Sequence, residues 1–203
     1  MANLINEDYF IRDINIPSND TSAVAMINSE IEKYQELVLI QVLGYDLYSK
    51  FIADPDSEQR FKDIRDGAEF EFNFCGKTVK RKYVGLVNAK KESLIAYFTY
   101  FYLISNKVTF TSSTGEVIAD NENSKPASSN QKLVRAWNNF IEMSGDITNK
   151  DYYYILGYFD KLNLSSYVHV NDAPSLYNFL LANKEVYPEW EFTPSEKINI
   201  FGI

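Results

Sequence analysis

The sequence predicts a mainly α fold: a helical bundle with one inserted β-hairpin, a long extended loop and a C-terminal arm. Apolar residues recur at helical spacing along most of the chain, one stretch alternates with a period of two, and residues 107–128 and 190–203 follow neither pattern. We therefore expect one helical domain over residues 1–189, with the hairpin at 68–83 and the loop at 107–128. Residues 190–203 are then a C-terminal docking arm.

Three helices are predicted before the hairpin. Asp20 is the expected N-cap of a long helix, and Gly44 stands where that helix would end in a left-handed residue. The segment "YDLYSKF" predicts a second, short helix, and "DSEQRFKDIRD" predicts a third that is entered from Asp56 and closed by Gly67. The buried face of the first helix follows a 3,4 spacing: Val24, Ile27, Ile31, Tyr34 and Val38.

The stretch "EFEFNFCGKTVKRKY" has the alternation of a β-hairpin, with Cys75 and Gly76 as a two-residue turn. That turn sets the cross-strand pairs: Glu69 with Lys82, Glu71 with Lys80, and Phe72 with Val79. Opposite charges across strands are a common stabilising device, so they explain the basic run "KTVKRK" better than nucleic-acid contact does.

Four more helical segments are predicted after the hairpin. A helix is expected from Val84 to Ser105, with a second half that is apolar nearly all round. A capping box of Ser128 and Gln131 leads into a helix with one apolar face. Asn149 is the expected cap of the next helix, and Asp172, followed by Pro174 near the first turn, is the expected cap of the last.

Composition limits the classes of function. The net charge of −8 argues against a general nucleic-acid-binding surface, which needs clustered Lys and Arg. A single cysteine excludes an intramolecular disulfide and a zinc site built from several cysteines. The apolar stretch Leu94–Ile104 is well below the ~20 residues that span a bilayer. The N-terminus lacks the features of a signal peptide. We expect a soluble protein.

Every candidate for chemistry has a simpler structural interpretation. Asp63 with Asp66, and Asp54 with Asp56, could bind a metal or act as acid and base, but they lie where aspartates cap backbone amides. The segment "SSTGEV" lacks the second glycine and the lysine of a phosphate-binding loop. The candidates His169 and Cys75 have no evident catalytic partner. We expect no catalytic, cofactor-binding or metal-binding residue and therefore no enzyme.

Core packing leaves the two unpatterned segments unexplained. The loop begins with β-branched and aromatic residues, which is typical of extended structure rather than of a Gly/Ser linker. The chain ends in "INIFGI", and an apolar terminus needs either its own domain or a partner to pack against. These segments supply the predicted partner interface: Phe110, Thr111, Thr114, Glu116, Val117, Trp190, Phe192, Phe201 and Ile203.

Four stretches of the chain together carry a resemblance to a known class of proteins. "EKYQELVLIQVLGYDLYSKF" (Glu32–Phe51) resembles an early helix–Gly–helix signature of the form E…LLGYELY. Three later stretches are "FTSSTGEV" (Phe110–Val117), "QKLVRAWN" (Gln131–Asn138) and the terminal "NIFGI". Together, the four stretches resemble the head–tail connector (adaptor) proteins of tailed bacteriophages. The chain departs from the signature at Val42 and Asp46, where the signature has Leu and Glu. Both changes are conservative.

The resemblance implies a virion protein at the head–tail junction, made in the host cytoplasm. Such proteins form a homo-oligomeric ring, typically twelve-fold, beneath the portal protein, and DNA passes through the lumen without sequence-specific binding. Their loops and C-terminal arms contact the portal, neighbouring subunits and other tail or connector proteins. Two alternatives remain: another tail-completion or stopper component, or an enzyme or ligand-binding protein with a pocket near Asp63, Asp66 or His169.

Overall fold

The computed structural model describes residues 3–16, 21–74, 77–112, 115–118, 130–145 and 175–193. This part of the chain is mainly α-helical with an inserted hairpin, as predicted, and the described residues of the predicted extended loop form the end of a helix and a second hairpin. Two short 3-10 turns precede the first helix. The elements that follow are α1 (Thr21–Leu43), α2 (Tyr45–Ala53), α3 (Gln59–Asp66), β1 (Glu69–Phe74), β2 (Lys77–Lys82), α4 (Leu94–Val108), β3 (Thr109–Ser112), β4 (Gly115–Ile118), α5 (Asn130–Ser144) and α6 (Leu176–Ala182).

The first three helices follow the sequence pattern closely. The predicted cap Asp20 lies outside the described residues, and α1 is described from the next residue onward. Its predicted apolar face is buried from Ile27 to Val38, although Val24 is only partly buried. Gly44 separates α1 from α2 with a φ of 78°, a positive value that glycine adopts without strain. The third helix begins three residues later than Asp56 and ends before Gly67, as predicted.

The β1–β2 hairpin has the predicted register. Glu69 pairs with Lys82, Glu71 with Lys80, and Phe72 with Val79. The turn residues Cys75 and Gly76 lie outside the described residues. The register predicted from a two-residue turn at Cys75 and Gly76 is therefore confirmed.

The helix predicted from Val84 is wrong in its first ten residues, because α4 begins only at Leu94. The amides of Leu86 and Val87 donate instead to the carbonyls of Ile64 and Arg65, at 3.3 and 2.8 Å. These carbonyls belong to the last turn of α3 and have no partner within that helix. The segment therefore caps a neighbouring helix.

The last predicted helix is also shorter than expected. Ser175, not Asp172, caps α6, and its side chain accepts a hydrogen bond from the amide of Asn178. Asp172 and Pro174 lie outside the described residues, as do Ser128 of the predicted capping box and the whole helix predicted after Asn149. The face predicted for α5 is buried at Phe140 and Ile141 and partly buried at Trp137.

The core lies between α1, α4 and α5. Phe98 on α4 is buried, and it contacts rings from both neighbouring helices: Tyr34 at 6.2 Å and Phe140 at 5.1 Å between ring centroids. Trp137 completes this aromatic cluster at 4.7 Å from Phe101. The prediction that α4 is a central buried helix is confirmed. None of the described helices is both long and apolar enough to cross a lipid bilayer.

Candidate partner-binding surfaces

The predicted loop begins as the end of α4 and continues as the β3–β4 hairpin. Phe110 pairs with Val117, and Thr111 pairs with Glu116. Four residues of the predicted interface are thus brought together on one short antiparallel sheet. Thr114 and the remainder of the loop, 119–128, lie outside the described residues.

The predicted C-terminal arm begins as a strap, residues Trp190–Thr193, that crosses the end of α1. The amide of Glu191 donates to the carbonyl of Leu43 at 3.2 Å, and the amide of Thr193 donates to that of Gln41 at 2.9 Å. The indole Nε1 of Trp190 donates to the carbonyl of Val42 at 3.0 Å. The last carbonyls of a helix have no partner within it, so the strap acts as a C-terminal cap.

This contact places the first four residues of the predicted arm on their own domain. Trp190 and Phe192 are half-buried and pack against the core. Phe201 and Ile203 lie outside the described residues. The part of the arm that remains a candidate for reaching a partner therefore starts after Thr193.

Two structural features favour glycine at position 44. The first is the positive φ of this residue. The other is that a Cβ atom at this position would lie 2.9 Å from the Cβ and the carbonyl oxygen of Glu191. Neither the φ angle nor the available space suits a side chain at this position. The close packing of the strap on the turn between α1 and α2 therefore depends on this glycine.

Three aromatic rings cover this turn. Tyr177 of α6 lies 5.2 Å from Trp190 and 4.9 Å from Phe192, both with edge-to-face geometry. All three are half-buried, so each ring contacts the domain and also reaches solvent. We name Tyr177, Trp190 and Phe192 the aromatic corner. Half-buried Trp and Tyr are typical of protein–protein contact sites.

Two exposed apolar side chains lie close in sequence to the turn between α1 and α2. Tyr45 follows Gly44 directly and is 67% exposed. Leu37 lies one helical turn before Gln41 and is 52% exposed. Single exposed apolar residues are ordinary, but here they flank the point where the strap meets α1.

Charged groups hold the turn that precedes the strap. Glu189 accepts from Lys50 of α2 at 2.5 Å and from Arg60 of α3 at 3.0 Å. These hydrogen bonds, with that of Lys50 the stronger, lower the pKa of Glu189 to about 2. Tyr187 adds a hydrogen bond from its hydroxyl to the carbonyl of Arg60 at 2.9 Å. These contacts fix the residues just before the strap to α2 and α3.

The β1–β2 hairpin carries the charge pairs that the sequence predicted. Lys80 Nζ lies 2.9 Å from a carboxylate oxygen of Glu71, and both side chains are more than half exposed. The basic run of β2 is therefore balanced in part by the acidic residues of β1.

The aspartates considered for metal or acid–base chemistry have local partners. Asp54 accepts from the amide of Asp56 at 3.1 Å, and Asp63 accepts from Gln59 at 2.7 Å. Arg65 bridges Asp56 and Asp66, and its hydrogen bond lowers the pKa of Asp66. Across the described ranges, no group of three His, Cys, Asp or Glu side chains could hold a metal ion. Cys75 and His169 lie outside those ranges.

Sequence patterns missed Tyr177, Arg60 and Glu189. Arg60 and Glu189 contact each other across 129 positions of the chain, and Tyr177 packs against two rings of a different segment. Periodicity within one element cannot reveal such contacts. The only signal in the sequence was Gly44, because a glycine between two helices allows another backbone to approach closely.

Comparison with protein families gives one match. The model of a family of unknown function, DUF6712, matches residues 39–142, just over half of the chain. The matched region runs from the last turns of α1 to the last turn of α5. No curated protein and no solved structure matches the chain. The chain therefore belongs to the family of unknown function DUF6712.

Proposed function

We propose that this protein is a structural virion component that forms a head–tail connector ring beneath a phage portal. The resemblance supplies the class of protein, and one structural relationship supports it. The segment Glu32–Phe51, which carries the main resemblance, forms the α1–Gly44–α2 turn. The strap at the start of the C-terminal arm packs on that same turn.

The strap gives the C-terminal segment a defined starting point on the domain. Residues that follow Thr193 leave from a backbone bonded to Gln41, beside the exposed Leu37. An apolar segment whose first residues are fixed to a folded domain loses less conformational entropy on docking than a segment that is free along its whole length. This is the property that a docking arm needs.

The β3–β4 hairpin is a second element whose first residue continues directly from a packed helix. Strand β3 begins at the residue after the end of α4, and α4 contains several buried core residues. A hairpin that continues from a packed helix is held at one end and can present backbone and side chains to a neighbour. Repeated contacts around a ring would multiply the affinity of each weak contact.

The charge of the chain is compatible with a DNA channel. At −8, a ring of copies would repel DNA rather than retain it. DNA could therefore pass through the lumen without sequence-specific binding.

The test of this proposal is quantitative mass spectrometry of purified particles from the source. A fixed stoichiometry near that of the portal protein is expected. Absence of the chain from the particles would overturn the proposal and would also remove the tail-completion and stopper alternatives.

A truncation tests the docking arm. Deletion of residues 196–203 leaves the strap intact, so the domain should fold while incorporation into particles stops. Normal incorporation of the truncated chain would contradict the assignment of a docking role to this segment.

A further inference from the structure

The β1–β2 hairpin separates its charges by strand. Glu69 and Glu71 lie on β1, whereas Lys80 and Lys82 lie directly opposite them on β2. All four side chains are exposed. The hairpin therefore has one acidic strand and one basic strand.

The root of this hairpin is held firmly against the domain. Phe70 packs edge to face on Phe179 of α6 at 6.0 Å, and Tyr83 stacks on the same ring at 5.1 Å. The backbone on the two sides of the root approaches closely: a Cβ on Gly67 would lie 2.3 Å from the carbonyl oxygen of Tyr83 and 2.8 Å from the nitrogen of Gly85. The exposed charges thus stand on a positioned element.

Both strands have an outer edge. In the described part of the chain, the sheet consists of β1 and β2 alone, so neither outer edge has a strand partner there. Proteins commonly protect such edges with charged side chains, because like charges on two copies repel each other. That protection fails here, because the two edges have opposite charges.

We propose that the acidic edge of β1 in one copy of this chain pairs with the basic edge of β2 in the next copy. An antiparallel junction would repeat between copies the Glu–Lys pairs that each hairpin already forms internally. The two edges are different surfaces, so the contact is head to tail, which generates a ring when the rotation closes. The inference rests on the proposed ring and assigns the hairpin to its subunit interface.

A second copy fits this surface better than nucleic acid does. Lys80 is already paired with Glu71 at 2.9 Å, and a phosphate backbone would meet the glutamates of β1 together with the lysines of β2. A hairpin of a second copy presents both signs of charge in the matching order. DNA binding is kept as an outcome of the test.

The test uses a variant with all four charges exchanged: Glu69→Lys, Glu71→Lys, Lys80→Glu and Lys82→Glu. Each hairpin keeps its internal opposite-charge pairs, so the fold is retained. The variant should assemble with itself. It should not mix with the wild-type chain, because a mixed junction brings two like-charged pairs together.

The exchanges leave the composition and the mass of the chain unchanged, so each variant is produced with uniform 15N labelling. Native mass spectrometry of a 1:1 mixture with the unlabelled wild type then separates the species. Mixed oligomers are expected about tenfold below their statistical abundance, because like-charged pairs directly opposite each other are destabilising. A matched control exchanges the exposed pair Asp8 and Lys91, which lie 2.9 Å apart. Asp8→Lys with Lys91→Asp should mix freely with the wild type.

Three results would overturn the inference. Free mixing of the charge-exchanged variant with the wild type would show that these edges do not meet. Absence of self-association by both chains would exclude pairing between copies. Loss of duplex DNA binding on Lys80→Glu with Lys82→Glu, with assembly intact, would assign the surface to DNA. In each case the stoichiometry in particles still decides the proposed function separately.

Discussion

The indole of Trp190 donates a hydrogen bond to the main-chain carbonyl of Val42 at 3.0 Å, 148 residues earlier in the chain. This bond joins the start of the C-terminal arm to the last turn of α1. The amides of Glu191 and Thr193 bond to the carbonyls on either side of Val42. The end of the first long helix is therefore completed by the far end of the chain.

Trp190→Phe is expected to lower the free energy of unfolding by about 1 kcal/mol. Phenylalanine keeps most of the aromatic packing but leaves the carbonyl of Val42 without its donor. Urea denaturation followed by circular dichroism measures the change. Tyr45→Phe, at a 67% exposed position, is the control and should change stability by less than about 0.5 kcal/mol. Equal stability of the two variants would contradict a capping role for the indole.

Gly44→Ala is expected to destabilise the protein by about 1–3 kcal/mol, because a side chain at positive φ is strained. The new methyl group would also push against Glu191. Hydrogen exchange of the Glu191 and Thr193 amides should accelerate, since both donate to α1 carbonyls. Tyr45→Ala, at the next position, should leave that exchange unchanged. Slow exchange at both amides in Gly44→Ala would show that the strap does not depend on the glycine.

Acid should weaken the attachment of the turn before the strap. The pKa of Glu189 falls from 4.5 to about 2, because Lys50 and Arg60 donate hydrogen bonds to its carboxylate. A carboxyl group with a lowered pKa in the folded state stabilises the fold above its unfolded pKa. That contribution is lost as the pH falls from about 4.5 through about 2.

Glu189→Gln tests this pH dependence. We expect a loss of about 1–2 kcal/mol at pH 7, a value reduced from the full shift because solvent reaches part of the site. The stability of the variant should also change less than that of the wild type between pH 5 and pH 2. Glu185→Gln, at an exposed position on the preceding turn, is the control. Parallel pH profiles for Glu189→Gln and the wild type would contradict the prediction.

Local patterns were sufficient for the buried face of the first long helix and for one sheet register. The spacing of Ile27, Ile31 and Tyr34 identified the buried face of α1, because helix periodicity and burial coincide there. A two-residue turn at Cys75 and Gly76 predicted the register of the first hairpin, and the resulting pair of Glu71 and Lys80 is compatible with it, since opposite charges favour that alignment. These features depend on neighbours within one element or one hairpin.

Contacts between distant segments were beyond such patterns. The residues from Val84 to Ser93 have a helical composition, but Leu86 and Val87 use their amides to cap α3. The C-terminal arm likewise begins with aromatic residues suited to a partner, yet Trp190 packs on its own domain. In both cases a segment donates hydrogen bonds to the main-chain carbonyls at the end of a helix, and this outweighs the structure that its own sequence favours. Only the folded structure shows which segment meets which helix end.

Two buried tyrosines should respond in opposite ways to loss of their hydroxyl groups. Tyr187 donates its hydroxyl to the carbonyl of Arg60 at 2.9 Å, so Tyr187→Phe removes a hydrogen bond and should cost about 1 kcal/mol. The hydroxyl of Tyr83 is buried and has no hydrogen-bond partner among the described residues. Burial of an unpaired hydroxyl is unfavourable, so Tyr83→Phe should stabilise the protein by about 1 kcal/mol.

Both tyrosines are mostly buried, and both rings contact Phe179 of α6. The two variants therefore differ mainly in the hydrogen bond that each one removes. Urea denaturation of both variants, together with the double variant, measures each contribution and any coupling between them. Destabilisation by Tyr83→Phe would mean that its hydroxyl has a partner, such as an ordered water molecule. If Tyr187→Phe destabilises the protein and Tyr83→Phe does not, the hydrogen bond from the Tyr187 hydroxyl to the carbonyl of Arg60 is the one that links α3 to the turn before the strap.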